Sequence, residues 1–412
     1  MAGDVLLPEL LTEILSRLPV KSLLRFRSTS KSLKSIIDSH NFTNLHLKNN
    51  SLNFNLILQL NTDLYQLDLP NLTKSMIPLN HPFSTNIAPV TRNSNMGLIG
   101  SCNGLIAISY GQIAFRDPNG PNEITIWNPN TRKHRIIPFL PLAIPNILES
   151  DNIHRFSLCV HGFGFDPLSG DYKLLRIAWI ADPNERSSFV PHVRLFNSKT
   201  NSWKIIPAMP YALVYAQNTG VLVENSLHWI MTKKLGGLHP SLIVAFNLTL
   251  EIFNVVPLPD VDNSNKSFEI DVDVLGGCLC MTLNYETTEI DVWVMKQYGY
   301  RDSWCKLFTM VKSCFHLPLK SLRPLGYLSD GKKVLLRVDF EKLFLYDFRS
   351  AQVSYVEGIP DFHDVMFSVG SLVPPSFPVD NSRKKENRTS KSKRSFSFHR
   401  DDFLSRGFKL RL

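Results

Sequence analysis

One strand–turn–strand pattern recurs along this chain and restricts the possible folds more than any other feature. Each copy is a short apolar run that usually ends in an aromatic residue followed by Asn or Asp, then a polar turn and a second apolar run. In four copies a proline stands ten residues after the Asn or Asp: Asp68 and Pro78, Asn128 and Pro138, Asn197 and Pro207, Asn247 and Pro257. Two further copies lack the proline: Phe344–Asp347, and Val292–Val294 with a longer turn before Trp304. Apolar runs bounded by turn-forming residues indicate β-hairpins.

The spacing of these copies indicates how the hairpins are organised. The anchors lie near positions 68, 128, 197, 247, 295 and 347, about fifty to seventy residues apart. A kelch-like blade of four strands takes roughly fifty residues, so the spacing favours a propeller over a helical solenoid. Further strands are predicted at Gly104–Ile108, Tyr172–Ile177, Gly220–Val223, Gly277–Met281 and Val334–Val338. We therefore predict an all-β, kelch-like propeller of about six blades, in which Phe367–Val373 pairs with the first blade and leaves no sheet edge exposed.

The first forty residues have a helical periodicity instead. Apolar residues from Leu10 to Leu18 fall on one face of a helix, Pro8 stands where a helix start tolerates proline, and Pro19 ends the pattern. A second helix is predicted from Val20, and Ser30 can cap a third. Three such short helices form a small all-α module that cannot bury all of its leucines and isoleucines, so part of its apolar surface must face another body.

The string from Leu6 to Ile37 resembles the plant F-box family, in which Leu-Pro, Ile-Leu and Arg-Leu-Pro-Val-Lys-Ser-Leu-Leu recur. The resemblance implies docking on a Skp1-like adaptor and, through it, on cullin 1 of an SCF ubiquitin ligase. The adaptor-binding residues that it implies are Leu6, Leu7, Pro8, Leu10, Leu11, Ile14, Leu15, Leu18, Pro19, Val20, Leu23, Leu24 and Phe26. The alternative is that these side chains pack only on the rest of the chain. Where the family usually has Cys-Val-Cys-Lys-Ser-Trp, this chain has Ser28–Leu33, a difference that bears on adaptor affinity.

The body of the chain resembles the kelch-type F-box-associated domain of the same plant proteins. The resemblance rests on Trp127-Asn128-Pro129-Asn130-Thr131 and on Gly162-Phe163-Gly164-Phe165-Asp166-Pro167. It implies an F-box at residues 1–45, a propeller at 46–378 and a basic, mostly disordered tail at 379–412. The residues also have structural interpretations: Asn128 opens a turn, Trp127 belongs to a core, and the two glycines allow close approach of strands.

The sequence offers little sign of catalysis, so we expect a non-catalytic protein with no cofactor and no metal. HExxH, Walker and GxSxG motifs and paired CxxC sequences are absent, and the twelve histidines are dispersed. Cys159 and His161 alternate on a predicted strand, where buried structural residues are more plausible than a nucleophile and its base. Cys278 and Cys280 lack the second pair of ligands that zinc requires.

The net charge of +9 arises mainly in the tail. Residues 381–412 contain eleven Lys or Arg and three Asp or Glu, so the body is nearly neutral and nucleic acid is not an expected partner. No apolar run is long enough to span a membrane, and the N-terminus lacks a signal-peptide pattern. Two basic clusters in the tail are candidates for nuclear import and predict residence in cytoplasm and nucleus: Arg383, Lys384, Lys385, Lys391, Lys393 and Arg394. A merely solubilising tail is the alternative.

Together these features predict a substrate-recognition subunit of an SCF ubiquitin ligase, with the helices on the adaptor and the propeller on a target protein. The end of the tail, Arg400–Leu412, resembles a subgroup of the family that regulates plant immunity, which implies intracellular nucleotide-binding leucine-rich-repeat receptors as targets. The alternatives are a propeller enzyme or lectin, and a non-degradative scaffold. The target cannot be identified from sequence, because loops such as Asn80–Asn95, Pro141–Arg155 and Ala181–Pro191 recognise it through shape.

Overall fold

The structure is a computed structural model, and it describes most of the chain. The described residues are 8–50, 53–69, 76–84, 95–111, 123–141, 157–181, 189–214, 219–233, 241–261, 267–286, 289–315, 319–328, 331–339 and 341–375. Leu6, Leu7, the basic tail and most of the three loops just mentioned lie outside these ranges.

The described part of the chain begins with four short helices: α1 (Pro8–Ser16), α2 (Val20–Thr29), α3 (Lys31–Ile37) and α4 (His40–Asn50). The three predicted helices are confirmed, and Ser30 caps α3 by accepting a hydrogen bond from the Ser32 amide at 3.2 Å. The count of three was one too few. The fourth helix extends past residue 45, and its sequence, rich in Asn and His, gives a weak helical signal because its stability comes from packing on α1 and the propeller.

After the helices, the described residues form a six-bladed propeller, as predicted. The strands are β1 (Phe54–Leu60), β2 (Asp63–Asp68), β3 (Ile77–Leu79), β4 (Asn95–Cys102), β5 (Leu105–Gly111), β6 (Glu123–Trp127), β7 (His134–Ile137), β8 (Ser157–Asp166), β9 (Asp171–Ala181), β10 (Phe189–Asn197), β11 (Ser202–Ile206), β12 (Ala212–Leu213), β13 (Val221–Val223), β14 (Ser226–Thr232), β15 (Leu242–Asn247), β16 (Phe253–Val256), β17 (Phe268–Leu275), β18 (Cys278–Tyr285), β19 (Glu289–Met295), β20 (Trp304–Val311), β21 (Leu322–Tyr327), β22 (Lys333–Val338), β23 (Lys342–Asp347), β24 (Gln352–Tyr355) and β25 (Asp364–Val369). The antiparallel blades are I (β4–β7), II (β8–β11), III (β12–β16), IV (β17–β20), V (β21–β24) and VI (β25, β1, β2, β3).

Each pair of neighbouring blades shares one buried apolar cluster, so the core is a ring of six interfaces. Trp229 lies in the cluster between blades II and III, and Trp127 lies in the cluster between blades VI and I. The ring explains why many strands read as continuous apolar runs instead of alternating ones, because both faces of a blade are buried against neighbours.

The recurring sequence pattern is the outer hairpin of the blades, and in blades I, III and V its Asn or Asp side chain caps the turn. The Oδ1 of Asn128 accepts hydrogen bonds from the amides of Asn130 and Thr131, and that of Asn247 does the same for Thr249 and Leu250. Four residues after the anchor the backbone turns left-handed, at Arg132, Asn201, Glu251 and Ala351. An Asx-type turn with one left-handed residue reverses the chain, and this geometry is what the repeat encodes.

The ring is closed by joining the end of the described chain to its beginning. β25 pairs antiparallel with β1, from Phe54 opposite Val369 to Gln59 opposite Asp364, which confirms the predicted closure. Beyond β25 the chain continues along blade I, where the fully buried Asn128 donates from Nδ2 to the carbonyls of Ser371 (3.0 Å) and Val373 (2.8 Å). The closing segment is therefore held both by a strand and by a side chain of another blade.

Candidate functional site

The most exposed apolar side chains of the helical module lie on α1 and α2. Leu10 and Ile14, one turn apart on α1, are 53% and 51% exposed, and Phe26 on α2 is 41% exposed. Side chains four residues apart on a helix share a face, so Leu10 and Ile14 form one apolar stripe. Large apolar groups exposed together on a small module are typical of a surface that docks on a partner.

The remaining predicted adaptor-binding residues are distributed between the surface and the interior. Leu15 and Leu23 pack with Ile37 and Phe42 in the core of the module, and Val20 is buried against Gly370 of the propeller. Leu15, Leu23 and Val20 therefore support the exposed stripe from within. They could contact a partner directly only if the helical module opened. The half-buried residues of the set are Leu11, Leu18 and Leu24; Pro19 is exposed at the N-cap of α2; Pro8 begins α1.

The side chains that depart from the family pattern form local hydrogen bonds or pack beside the core of the helices. The Ser28 hydroxyl donates to the Arg25 carbonyl at 2.6 Å, and Ser30 caps α3. Leu33 is half-buried beside the core of the module, where the family usually has an aromatic residue. The substitutions thus leave the fold of the helices intact and change only the side chains available at this position.

The helical module is anchored to the propeller through α4 and the segment after β25. His46 Nε2 donates to the Leu18 carbonyl at 2.9 Å, and Asn50 Nδ2 donates to the Ser16 carbonyl at 2.9 Å. Burial lowers the pKa of His46, and the hydrogen bond to Leu18 opposes that shift. Leu47 packs on the cluster between blades I and II, and Leu372 packs on the core of the helices. The exposed stripe on α1 is therefore held in a fixed orientation relative to the blades.

The Gly-Phe-Gly-Phe-Asp-Pro string joins blades II and III. A side chain at Gly162 would collide with Leu227 and Trp229, so the glycine permits close packing of the blades, as expected. Asp166 lies 2.9 Å from Lys173 Nζ and accepts hydrogen bonds from Ser169 and Thr249. Burial alone would raise the pKa of Asp166, but these donors hold it below its usual range. The string therefore has a structural role.

Cys159 and His161 lie on β8 with Sγ and Nε2 3.9 Å apart. Burial raises the pKa of the Cys159 thiol to about 11, although Arg176 opposes that shift. Burial and Arg176 both lower the pKa of His161 to about 3. Both groups are held neutral, and this pair lacks the thiolate and imidazolium charges that an activated cysteine requires.

Other candidate sites are unsupported in the part of the chain that the structure describes. Burial raises the pKa of Cys278 and, more strongly, of Cys280, as expected for protonated thiols. No three His, Cys, Asp or Glu among the described residues are grouped so that they could hold a metal ion. Within the same ranges, none of the helices has both the length and the apolar character needed to cross a bilayer. The candidate nuclear-import residues, Arg383 to Arg394, lie outside them.

Sequence reasoning missed the charged side chains that lie within the inner strands of the blades. Arg323 Nε is 3.1 Å from Asp273 Oδ2, and Arg337 donates to Asp364 at 2.8 Å, which links blades IV, V and VI. Burial lowers the pKa of Arg337, and the charge of Asp364 opposes that shift. The signal was present in the alternating carboxylates of β17, which stand where an apolar residue would be expected.

Comparison with known proteins agrees with this architecture. Residues 6–45 match the F-box domain family, and residues 48–358 match the F-box associated beta propeller domain family. The chain is 33% identical to F-box protein CPR1 of Arabidopsis thaliana over 98% of each chain, and 24% identical to an F-box/kelch-repeat protein of that plant over 89% of this chain and 95% of the other. Among solved structures, an oligogalacturonate lyase in complex with manganese is 11% identical and aligns with a TM-score of 0.39 over 71% of this chain and 70% of the lyase.

That structural likeness is too distant to inform function, whereas the relatives align along almost the whole chain. The four helices match the F-box family, the six blades match its associated propeller, and the identity to CPR1 extends across both. This chain belongs to the F-box proteins with an F-box associated beta propeller domain.

Proposed function

We propose that this protein is the substrate-recognition subunit of an SCF ubiquitin ligase, with no active site of its own. The Leu10–Ile14 stripe and Phe26 dock on a Skp1-like adaptor that connects to cullin 1, and the end of the propeller away from the helices binds the target. The observation that carries the proposal is this exposed apolar face on a module fixed rigidly to the blades. Removing about half of each leucine or isoleucine side chain from water contributes roughly 1 kcal/mol per residue.

The docking face is tested by changing Leu10 and Ile14 together to Asp. The double variant is expected to lose co-purification with a Skp1-like adaptor, because two carboxylates would have to be desolvated in an apolar interface. Leu168→Asp is the matched control, since Leu168 is 81% exposed at the β8–β9 turn of the propeller. It makes the same chemical change on another surface and should bind as the wild type does. Equal binding by all three proteins would refute the proposed docking face.

The ligase role requires a separate experiment. A reconstituted complex with E1, E2, cullin 1 and adaptor should build ubiquitin chains on proteins captured by the propeller, and proximity labelling under proteasome inhibition would identify those proteins. Capture without chain formation would indicate a non-degradative scaffold. Turnover of a small substrate or glycan binding by the full-length chain would indicate an enzyme or a lectin. The immune-receptor target class rests on the resemblance of the tail and stays a prediction.

We also propose that the protein resides in both cytoplasm and nucleus through its two basic clusters. The clusters span Arg383–Lys385 and Lys391–Arg394, with a short polar spacer between them. Deleting residues 382–394 from a fluorescent fusion should lower the nuclear signal, and replacing the same residues by a Gly/Ser segment of equal length controls for tail length. Identical distributions would assign the tail a solubilising role only.

A further inference from the structure

Blade II carries a row of basic side chains on the sheet face that is turned toward blade I. His161, Arg176 and Arg194 are direct cross-strand partners on β8, β9 and β10. His192 lies two residues before Arg194 and therefore shares this face. On the same face, Phe163 and Leu174 pack into the cluster between blades I and II, which shows where the basic row points.

Arg176 is buried without a carboxylate partner among the described residues. Its side chain is 9% exposed; Nη1 donates to the Leu140 carbonyl at 2.6 Å, and the guanidinium lies over the Trp203 ring at 5.3 Å. The buried Nε has no acceptor. Arg194, half-buried beside it, bonds through Nη1 to the Val193 carbonyl at 3.0 Å and has no ion pair within the described ranges.

The electrostatics of the row agree with an uncompensated positive site. Burial lowers the pKa of Arg176; Cys159 opposes that shift, and the charge of Arg194 adds to it. Burial likewise lowers the pKa of His192, and the charges of Arg194 and Arg176 add to that shift. Elsewhere in this propeller buried arginines are paired, as Arg337 is with Asp364. Burying an unpaired charge costs several kcal/mol of folding free energy. We therefore expect an unpaired buried guanidinium to be retained where a bound anion can neutralise its charge.

The basic row lies away from the helices. The Asn103–Gly104 turn touches Ser371 next to the helical module, and Asn103 donates to the Tyr172 hydroxyl at the beginning of β9. Arg176 is four residues farther along β9, at the middle of that strand, and its partner Arg194 lies three residues before the end of β10. The row therefore crosses the middle of blade II, several residues from the turn that touches the segment beside the helical module.

We propose that Arg176, Arg194, His161 and His192 form a binding site for a single phosphate monoester between blades I and II. A phosphate monoester carries about −1.5 to −2 charges at pH 7 and presents three acceptor oxygens, which matches two guanidinium groups. A carboxylate would neutralise only one of them. His161, whose pKa is about 3, supplies a neutral hydrogen-bonding group and no additional charge.

The phosphate can belong to a small metabolite or to a phosphorylated side chain of a target protein. Both present the same chemistry to the arginines. The site itself stands without the ubiquitin-ligase role, and only its use for a phosphorylated target rests on the proposed function. In that case the protein would select targets by their phosphorylation state.

The test is calorimetric binding to the full-length protein without adaptor, so that its outcome is separate from that of adaptor docking. The probes are inorganic phosphate, phosphoserine, and a degenerate phosphoserine and phosphothreonine peptide mixture with its unphosphorylated copy. The variants are Arg194→Gln and Arg176→Lys, which keeps the charge but loses the guanidinium fork. Arg349→Gln, at an exposed position of blade V, is the control for net charge. Circular dichroism and urea midpoints confirm that each variant is folded.

Binding of phosphate probes by the wild type and the Arg349 variant, weakened about tenfold or more in both site variants, supports the site. Tighter binding of the phosphopeptides than of phosphoserine identifies a phosphorylated protein as the source, and equal binding identifies a small phosphate compound. The proposal is overturned if no phosphate probe binds, or if Arg194→Gln, folded as the wild type, binds with unchanged affinity.

Discussion

Asn128→Asp is the substitution that most directly tests how the propeller is closed. The Oδ1 of Asn128 caps the β6–β7 turn, while its Nδ2 donates to the carbonyls of Ser371 and Val373. Aspartate keeps the turn-capping acceptor and loses both donors. The change therefore separates the local role of this side chain from its long-range role in holding the closing segment.

The expected loss follows from the burial of this group. Asn128 is fully buried, and each of the two lost hydrogen bonds contributes about 0.5–1.5 kcal/mol. The substitution also leaves two carbonyls unsatisfied and places a carboxylate beside them, which adds a desolvation and repulsion penalty of about 1–3 kcal/mol. We expect the free energy of unfolding to fall by about 2–6 kcal/mol in total.

Urea unfolding of Asn128→Asp and of Asn247→Asp measures this difference. Asn247 caps the matching turn of blade III through the same two amide contacts, so the control should lose less than about 1 kcal/mol. Amide hydrogen exchange at Gly370 and Leu372 should accelerate only in the Asn128 variant, since the segment that meets the helices is released. Equal losses in the two variants, with unchanged exchange, would show that the side chain acts only on its own turn.

Three further predictions concern stability. Ala351→Gly should stabilise the protein by about 1 kcal/mol in urea unfolding, because the Ala351 backbone is left-handed with φ 53°. The control Ala208→Gly, at an ordinary exposed position, should destabilise the protein slightly. A loss of stability in Ala351→Gly would refute the backbone strain proposed for Ala351. Burial lowers the pKa of His228 to about 4, below that of the unfolded chain near 6.5, so its contribution of about 3 kcal/mol is present above pH 6.5 and is lost as pH falls toward 4. The stability of His228→Leu should therefore vary less in that window; an unchanged slope would contradict this. The lowered pKa of Asp166 makes its contribution present above pH 4 and lost as pH falls below, so Asp166→Asn should cost about 3 kcal/mol at pH 7 and less at pH 3; a deficit independent of pH would argue against the Lys173 pair.

The architecture was predictable because its signals are local. Turn anchors such as Asn128 and Asn247 cap their own hairpins within a few residues, so the repeat can be recognised without knowing any distant contact. The fourth helix was missed because its stability depends on contacts with other elements, such as Asn50 to Ser16.

The candidate sites were less predictable because they depend on contacts between residues that are distant in the sequence. Predicting the exposed face of the F-box would have required knowing which leucines the module buries. Helical periodicity does not separate Leu15, which is buried, from Leu10, which is exposed. The basic row of blade II requires the register that places Arg194 opposite Arg176, eighteen positions apart in sequence. Charged residues within buried strands were the available signal, and they were overlooked.

The pairing of β25 with β1 has a consequence for the order in which the protein is made. A ribosome synthesises the F-box first, yet Gly370 and Leu372, which contact the helices, and the strand that completes blade VI emerge about three hundred residues later. Such long-range closure is slow to form and cannot begin before the last blade has been translated. A nascent or truncated chain would lack the contacts of Gly370 and Leu372 with the helices, so only the closed propeller holds the F-box through both of its anchors.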